Sequence, residues 1–373
     1  MKDPRLNELA RMLLDGALGL KGGELIEIHG GIPAKPLIKE CLTEAHKRGI
    51  VPFVKLIDDE LKRLSFGYID PKHPEQADFA IDAELDWENR YWDHIAAHID
   101  IGVDENDAEL SAVPAAAFQY YRGKRRGLTE KIINDRRWVY LHWPTLADAQ
   151  KASMCYDDFY EFFIHACLVD YDKMARDAEP LVELFDKTDR VRIVGPGTDL
   201  SFSIKGIPTV PCVGHMNIPD GEVYTAPVRD SVNGVIQYNT AAMRYGKKFP
   251  NPRLVFRNGH IDEATCDGDA AGFNEMLDAD EGARYVGEFA LGINNAVTKP
   301  IGNTLYDEKI GGSFHFTPGA SYDDAPNGNR SQLHLDIVCI QTAAFGGGEI
   351  WFDDVLIRKD GIFTLDSLKG LNP

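Results

Sequence analysis

The sequence predicts two domains, an α/β N-terminal domain with a parallel sheet and an α+β C-terminal domain with a largely antiparallel sheet. Strand-like and helical stretches alternate through the first half, the pattern of β-α-β units. After Asp189 the texture changes to short β-rich runs separated by clusters of Gly, Asn, Asp and Pro. A chain of 373 residues also exceeds the size at which a single hydrophobic core stops growing. The expected domains are residues 1–188 and 189–373.

Residues 1–22 place Leu and Met at helical spacing and are expected to form an amphipathic helix ending at Gly22-Gly23. Residues 24–29 read as a strand turned by Gly30-Gly31, residues 34–48 as a helix and residues 51–57 as a second strand, together a parallel β-α-β unit. Residues 138–142 extend this α/β character, and residues 157–186 form a long helical stretch. Beyond the boundary, residues 190–194, 200–204 and 254–257 are expected strands. Gly195-Pro196-Gly197 lacks the lysine and the spacing of a phosphate-binding loop, and no repeat or low-complexity segment stands out.

The 40 Lys and Arg against 59 Asp and Glu give a formal charge of -19, which repels a polyanion. The one dense basic run, Arg122, Lys124, Arg125 and Arg126, is short, lacks the repeated aromatic platforms of nucleic-acid modules and reads as a solvated helix end. No nucleic-acid partner is expected. Apolar residues make up 44% of the chain, enough for large cores, which argues against disorder. Six cysteines without a C-x-x-C pair argue against a zinc ribbon or a dithiol redox site, and read mostly as buried small hydrophobes. The N-terminal stretch lacks the unbroken apolar core of a signal peptide, and no segment reaches the length of a membrane span. The expectation is a cytoplasmic protein with reduced thiols and no membrane partner.

Four places carry residues suited to metal chemistry. His334-Leu335-Asp336 lies in an alternating run over residues 332–338, and residues two apart in a strand share a face. The same alternation fits a plain solvated strand. Glu288 interrupts the apolar run 285–291; a carboxylate buried there needs a counter-charge or a metal, whereas a solvent-facing one needs nothing. Glu222 follows the turn Pro219-Asp220-Gly221, where sites are often assembled but acidic residues also serve solubility. His315 sits between two phenylalanines, a setting shared by ligands and packing residues. Carboxylates and imidazoles without thiolates suit Zn, Mn, Co or Mg.

Residues 217–227, 287–292 and 307–315, closed by His334-Leu335-Asp336, together resemble the aminopeptidase T / aminopeptidase S family, the thermophilic aminopeptidase family of metallopeptidases. Residues 143–154 and 197–202 extend the resemblance over most of the chain. It implies that the C-terminal half is the metal-binding catalytic domain of a metallo-aminopeptidase, a hydrolase that removes N-terminal residues from short peptides through a water activated by two metal ions. Glu222, Glu288, His315, His334 and Asp336 would be the ligands of two divalent ions (Zn, Co, Mn or Mg), with Glu288 bridging. Tyr322, seven residues beyond His315, would polarise the scissile carbonyl or stabilise the oxyanion. Glu222 or Glu308 would carry the proton to the leaving amine. The resemblance also implies a homodimer enclosing a cavity. His315 and His334 lie only 19 positions apart (334 minus 315), shorter than the resemblance leads one to expect, so the segment 318–329 is the part of the site that transfers least from the family.

The rival reading is a mononuclear iron(II) dioxygenase that opens a hydroxypyridine ring on the same scaffold, using His315, His334 and Asp336 as a two-histidine, one-carboxylate triad. Such a site has no use for Glu222 and Glu288.

Overall fold

The computed structural model describes residues 3–244 and 247–373, and the chain forms two compact units. The first runs to Leu168 and takes back Gly214–Ile218; the second comprises Val169–Val213 and Pro219–Pro373.

In the first unit, strand Leu25–Gly31 is flanked by Val51–Ile57 and Ala97–Gly102, followed by Arg137–His142 and the short Asn217–Ile218, all parallel. Helix Lys35–Lys47 makes the first crossover, so the β-α-β unit is present as expected. Gly30 and Gly31, however, continue the strand instead of turning it. A Cβ on Gly31 would stand 2.6 Å from Val103 Cβ, so glycine there permits close strand approach. The opening helix Arg5–Arg11 passes into a π-helical turn, Met12–Ala17, and stops short of Gly22. The long helical stretch divides into Tyr156–Cys167 and Tyr171–Lys187, the second capped by Asp170 accepting from the Lys173 N–H at 2.8 Å.

The basic run lies in the middle of helix Ala115–Asp135, not at its end. Lys124 pairs with Asp78 at 3.2 Å and Asp82 at 2.7 Å, and Arg125 with Glu84 and Glu88, all on helix Asp78–Trp92. Those cations bind one helix to its neighbour. Among the cysteines, Cys41, Cys167 and Cys339 are buried while Cys155 is exposed. No helix among the described residues is long and apolar enough to cross a membrane.

The second unit holds an eight-stranded sheet and a five-stranded sheet whose inner side chains share one core. The five-stranded sheet is antiparallel throughout, in the order Val338–Ile340, Ser313–Pro318, Val286–Gly292, Glu222–Thr225 and Val210–Cys212. Its pleat separates two chemistries. Phe289, Leu291, Phe314 and Phe316 enter the core, where the Phe289 and Phe316 rings each lie 5.0 Å from Phe202. Glu288, Ala290, His315 and Thr317 occupy the other face. Helix Tyr171–Lys187 adds Ala178, Leu181 and Phe185 to this core, so the unit includes residues ahead of 188.

Candidate metal centre

Glu222 opens its strand directly opposite Gly292. The backbone before it is pressed against a neighbour: Gly221 has φ +135°, a Cβ on it would lie 2.7 Å from Asn294 Cβ, and its carbonyl accepts from the Ile293 N–H at 2.9 Å. Glu288 and His315 come from adjacent strands, and both are buried, at 3% and 1% exposure. The buried reading of Glu288 therefore holds.

The strand expected over residues 332–338 is largely absent. Only Val338–Ile340 is laddered, and His334 makes a single bridge to Gly319. The Leu335 N–H donates to the Pro318 carbonyl at 3.1 Å, but Pro318 has no N–H to return, so the ladder stops. Alternation survives without it. Leu333, Leu335 and Ile337 are buried in the core, while His334 Nε2 and Asp336 Oδ1 meet at 3.2 Å.

All five residues converge. His315 Nε2 lies 3.0 Å from Glu288 Oε1 and 3.6 Å from Glu222 Oε2. His334 Nε2 lies 3.2 Å from Glu288 Oε2. Glu222, Glu288 and His315 thus form one group of possible ligands, and Glu288, His334 and Asp336 another, with Glu288 common to both. His334 Nδ1 is 2.9 Å from the Ala320 carbonyl, which can only accept, so Nδ1 carries a proton and Nε2 is the ring atom turned toward two carboxylates, where a metal ion or a second proton would sit. His334 Nε2 and Glu222 Oε2, both turned into the cluster, are buried without a hydrogen-bond partner. The donor set and these unsatisfied atoms fit divalent metal ions.

The buried carboxylates favour the protonated forms of both histidines. Burial opposes the charged form of His315, but Glu222 and Glu288 outweigh it and lift its pKa to about 9. His334 is driven well up in the same way, burial opposing and Asp336 prevailing. Burial raises Glu222 to about 8 despite Lys309. Asp336 is held below the usual carboxylate range because His334 and the Thr317 hydroxyl, donating at 2.8 Å, overcome its burial.

Glu308 also reaches the cluster, grouped with His315 and Asp336. Tyr322 packs its ring 4.5 Å from that of His334, is 49% exposed, and has no hydrogen-bond partner for its hydroxyl among the described residues. The loop carrying it is pinned by Asn327, which donates to the Pro227 and Val286 carbonyls at 2.7 Å each. Sequence reasoning missed Lys309. Its fully buried ammonium donates to Glu222 Oε1 at 2.6 Å and pairs with Glu308 Oε1 at 2.7 Å and Asp220 Oδ1 at 3.7 Å. Burial works against its charge, but Glu222 and Glu308 keep it protonated. Thr317 was missed as well; its place two residues after His315 on one strand was the available signal.

The family model of the thermophilic metalloprotease (M29) matches residues 2–358. Aminopeptidase AmpS of Bacillus subtilis is 23% identical, over 90% of this chain and 88% of its own. Aminopeptidase T of Thermus aquaticus is 30% identical over 38% of this chain and 40% of its own. The solved structure of wild-type AmpT from Thermus thermophilus superposes with a TM-score of 0.81 at 20% identity, covering 97% of this chain and 99% of that one.

Proposed function

The chain belongs to the thermophilic metalloprotease family (M29) and is a metallo-aminopeptidase, and from that premise we propose that Glu222, Glu288, His315, His334 and Asp336 hold two divalent ions with which it removes N-terminal residues from short peptides. The observation that carries this reading is Glu288, which offers Oε1 toward His315 and Oε2 toward His334. One carboxylate shared between two ligand groups would let Glu288 serve both ions of a pair. When bound, such ions polarise a scissile carbonyl and lower the pKa of a water. Zn, Co, Mn and Mg all suit the donors.

The chain's own side chains supply the rest. Lys309 occupies Glu222 Oε1 and so leaves Oε2 for ligation. The Ala320 carbonyl fixes the His334 tautomer, and Thr317 orients Asp336. With both Glu222 oxygens engaged, Glu308 is the better candidate to take a proton and deliver it to the leaving amine. The free Tyr322 hydroxyl donates to the oxygen that gains charge. A cytoplasmic homodimer completes the proposal, and its enclosed cavity would restrict substrates to short peptides.

The iron dioxygenase reading needs only His315, His334 and Asp336, and none of the relatives named above is an oxygenase. Glu222 and Glu288 in the same cluster favour the hydrolase. Metal-stripped protein should regain hydrolysis of amino-acid anilides when Co, Mn or Zn is restored. Activity that returned only with iron(II) and oxygen would sink the peptidase reading. Tyr322→Phe should lower kcat roughly 10²–10³-fold, as loss of one oxyanion donor does, and an unchanged kcat would remove Tyr322 from the chemistry.

A further inference from the structure

One face of the parallel sheet in the first unit carries charge where such faces are ordinarily apolar, because parallel strands are covered on both sides. In register, Glu27 lies beside His98 and His29 beside Asp100, on the adjacent strands Leu25–Gly31 and Ala97–Gly102. The opposite face, with Ile26, Ile28, Ile99 and Ile101, is buried and apolar. His29 Nδ1 is 2.7 Å from Asp100 Oδ1, and His29, His98 and Asp100 each bring a ligand atom within 4.8 Å of the other two. His98 is the unsettled member. Its side chain is 13% exposed, its buried Nε2 has no hydrogen-bond partner, and Glu27 Oε1 stands 3.6 Å away, beyond hydrogen-bond reach.

Topology marks the same place. From Leu25–Gly31 the chain first adds Val51–Ile57 on one side, then crosses back to add Ala97–Gly102 on the other. That reversal opens a crevice at the carboxyl ends of the two strands that bear the cluster, where open parallel sheets bind ligands. A cavity of about 280 Å³ lies there, lined by His29, Asp100, Asp59, Asp104, Tyr140 and Lys62 among others.

We propose that His29, His98 and Asp100 form a metal site in the first unit that takes one divalent transition ion of the zinc class, with an open position toward the cavity. Two imidazoles and a carboxylate suit Zn²⁺ or Co²⁺, whereas Ca²⁺ and Mg²⁺ prefer oxygen ligands. Three protein ligands are the count of a site that keeps a position for water or a small molecule. The proposal rests on the first unit alone and does not depend on the reading of the C-terminal centre.

The test uses the full chain with His315→Ala and His334→Ala, stripped of metal and titrated with Co²⁺ while its visible absorption is followed. About one ion per chain should still bind, with the ligand-field bands of a nitrogen-ligated cobalt. Adding Asp100→Asn, which keeps the side chain's shape, should weaken binding at least roughly tenfold, the loss that even an outer-shell change causes. Adding His98→Ala should abolish it. No Co²⁺ bound, or binding indifferent to both changes, overturns the proposal. Should the double histidine variant not fold, Zn²⁺ content is compared between the unaltered protein and Asp100→Asn. A drop of one ion per chain is expected, and equal content overturns the site.

Discussion

Lys309 is the cation around which the buried carboxylates of the C-terminal centre are arranged, 2.6 Å from Glu222 and 2.7 Å from Glu308. Lys309→Met removes their counter-charge, and breaking a buried pair in this way costs about 3–5 kcal/mol. The urea midpoint of the metal-free protein should fall accordingly, and an unchanged midpoint would show that the ammonium is not needed. Arg358 is the converse case. It is fully buried, its Nε and Nη1 have no partner, and Nη2 makes one long bond of 3.4 Å to Gln341. Arg358→Met should therefore be neutral or stabilising by up to about 1–4 kcal/mol in the same measurement, and a loss of stability would show that the guanidinium has a role. Glu44 gives a pH signature. Hydrogen bonds from Arg48, Lys47 and Asn7 lower its pKa from 4.5 to about 2. Its contribution to stability is thus complete above pH 4.5 and lost as pH falls toward 2. Glu44→Gln should lower the thermal midpoint at neutral pH, with the difference from the parent vanishing near pH 2; a constant difference would contradict this. Glu288 was legible because a carboxylate inside an apolar run is conspicuous. Lys309 and Arg358 were not, since a lysine or arginine in a short polar context looks the same in sequence whether solvated or buried.

At the scale of elements, strand Val286–Gly292 does two jobs through its pleat, with Phe289 in the core and Glu288 in the site. Phe289→Ala should cost about 3–5 kcal/mol by urea denaturation, as truncation of a buried aromatic does. A loss below 1 kcal/mol would mean that the core collapses around the gap. The loop after Pro318 depends on Asn327, whose amide serves two carbonyls at 2.7 Å. Alternation foretold that His334 and Asp336 share a side, yet overstated the strand, because a hydrophobic pattern reports faces and not hydrogen-bonded ladders. The same limit applied to Gly30 and Gly31, whose lack of a side chain fits a close strand approach as well as a turn. The division of residues 157–186 was written in Asp170, a helix cap that a long apolar periodicity obscures.

For the whole molecule, alternating helices and strands announced a parallel sheet, and the later Gly- and Pro-rich texture announced antiparallel ones. The candidate metal centre was far less legible. Its five residues span positions 222 to 336 and meet only because three antiparallel strands and one extended segment bring them together. No local spacing encodes that meeting, so family resemblance had to supply the grouping. The central claim is that Glu288 joins two ions in one centre, and electron paramagnetic resonance of the manganese(II)-loaded protein tests it most directly. An exchange-coupled manganese pair is expected in protein active on amino-acid anilides, lost together with activity in Glu288→Gln. Full activity alongside only the six-line spectrum of isolated manganese, unchanged by Glu288→Gln, would contradict the claim.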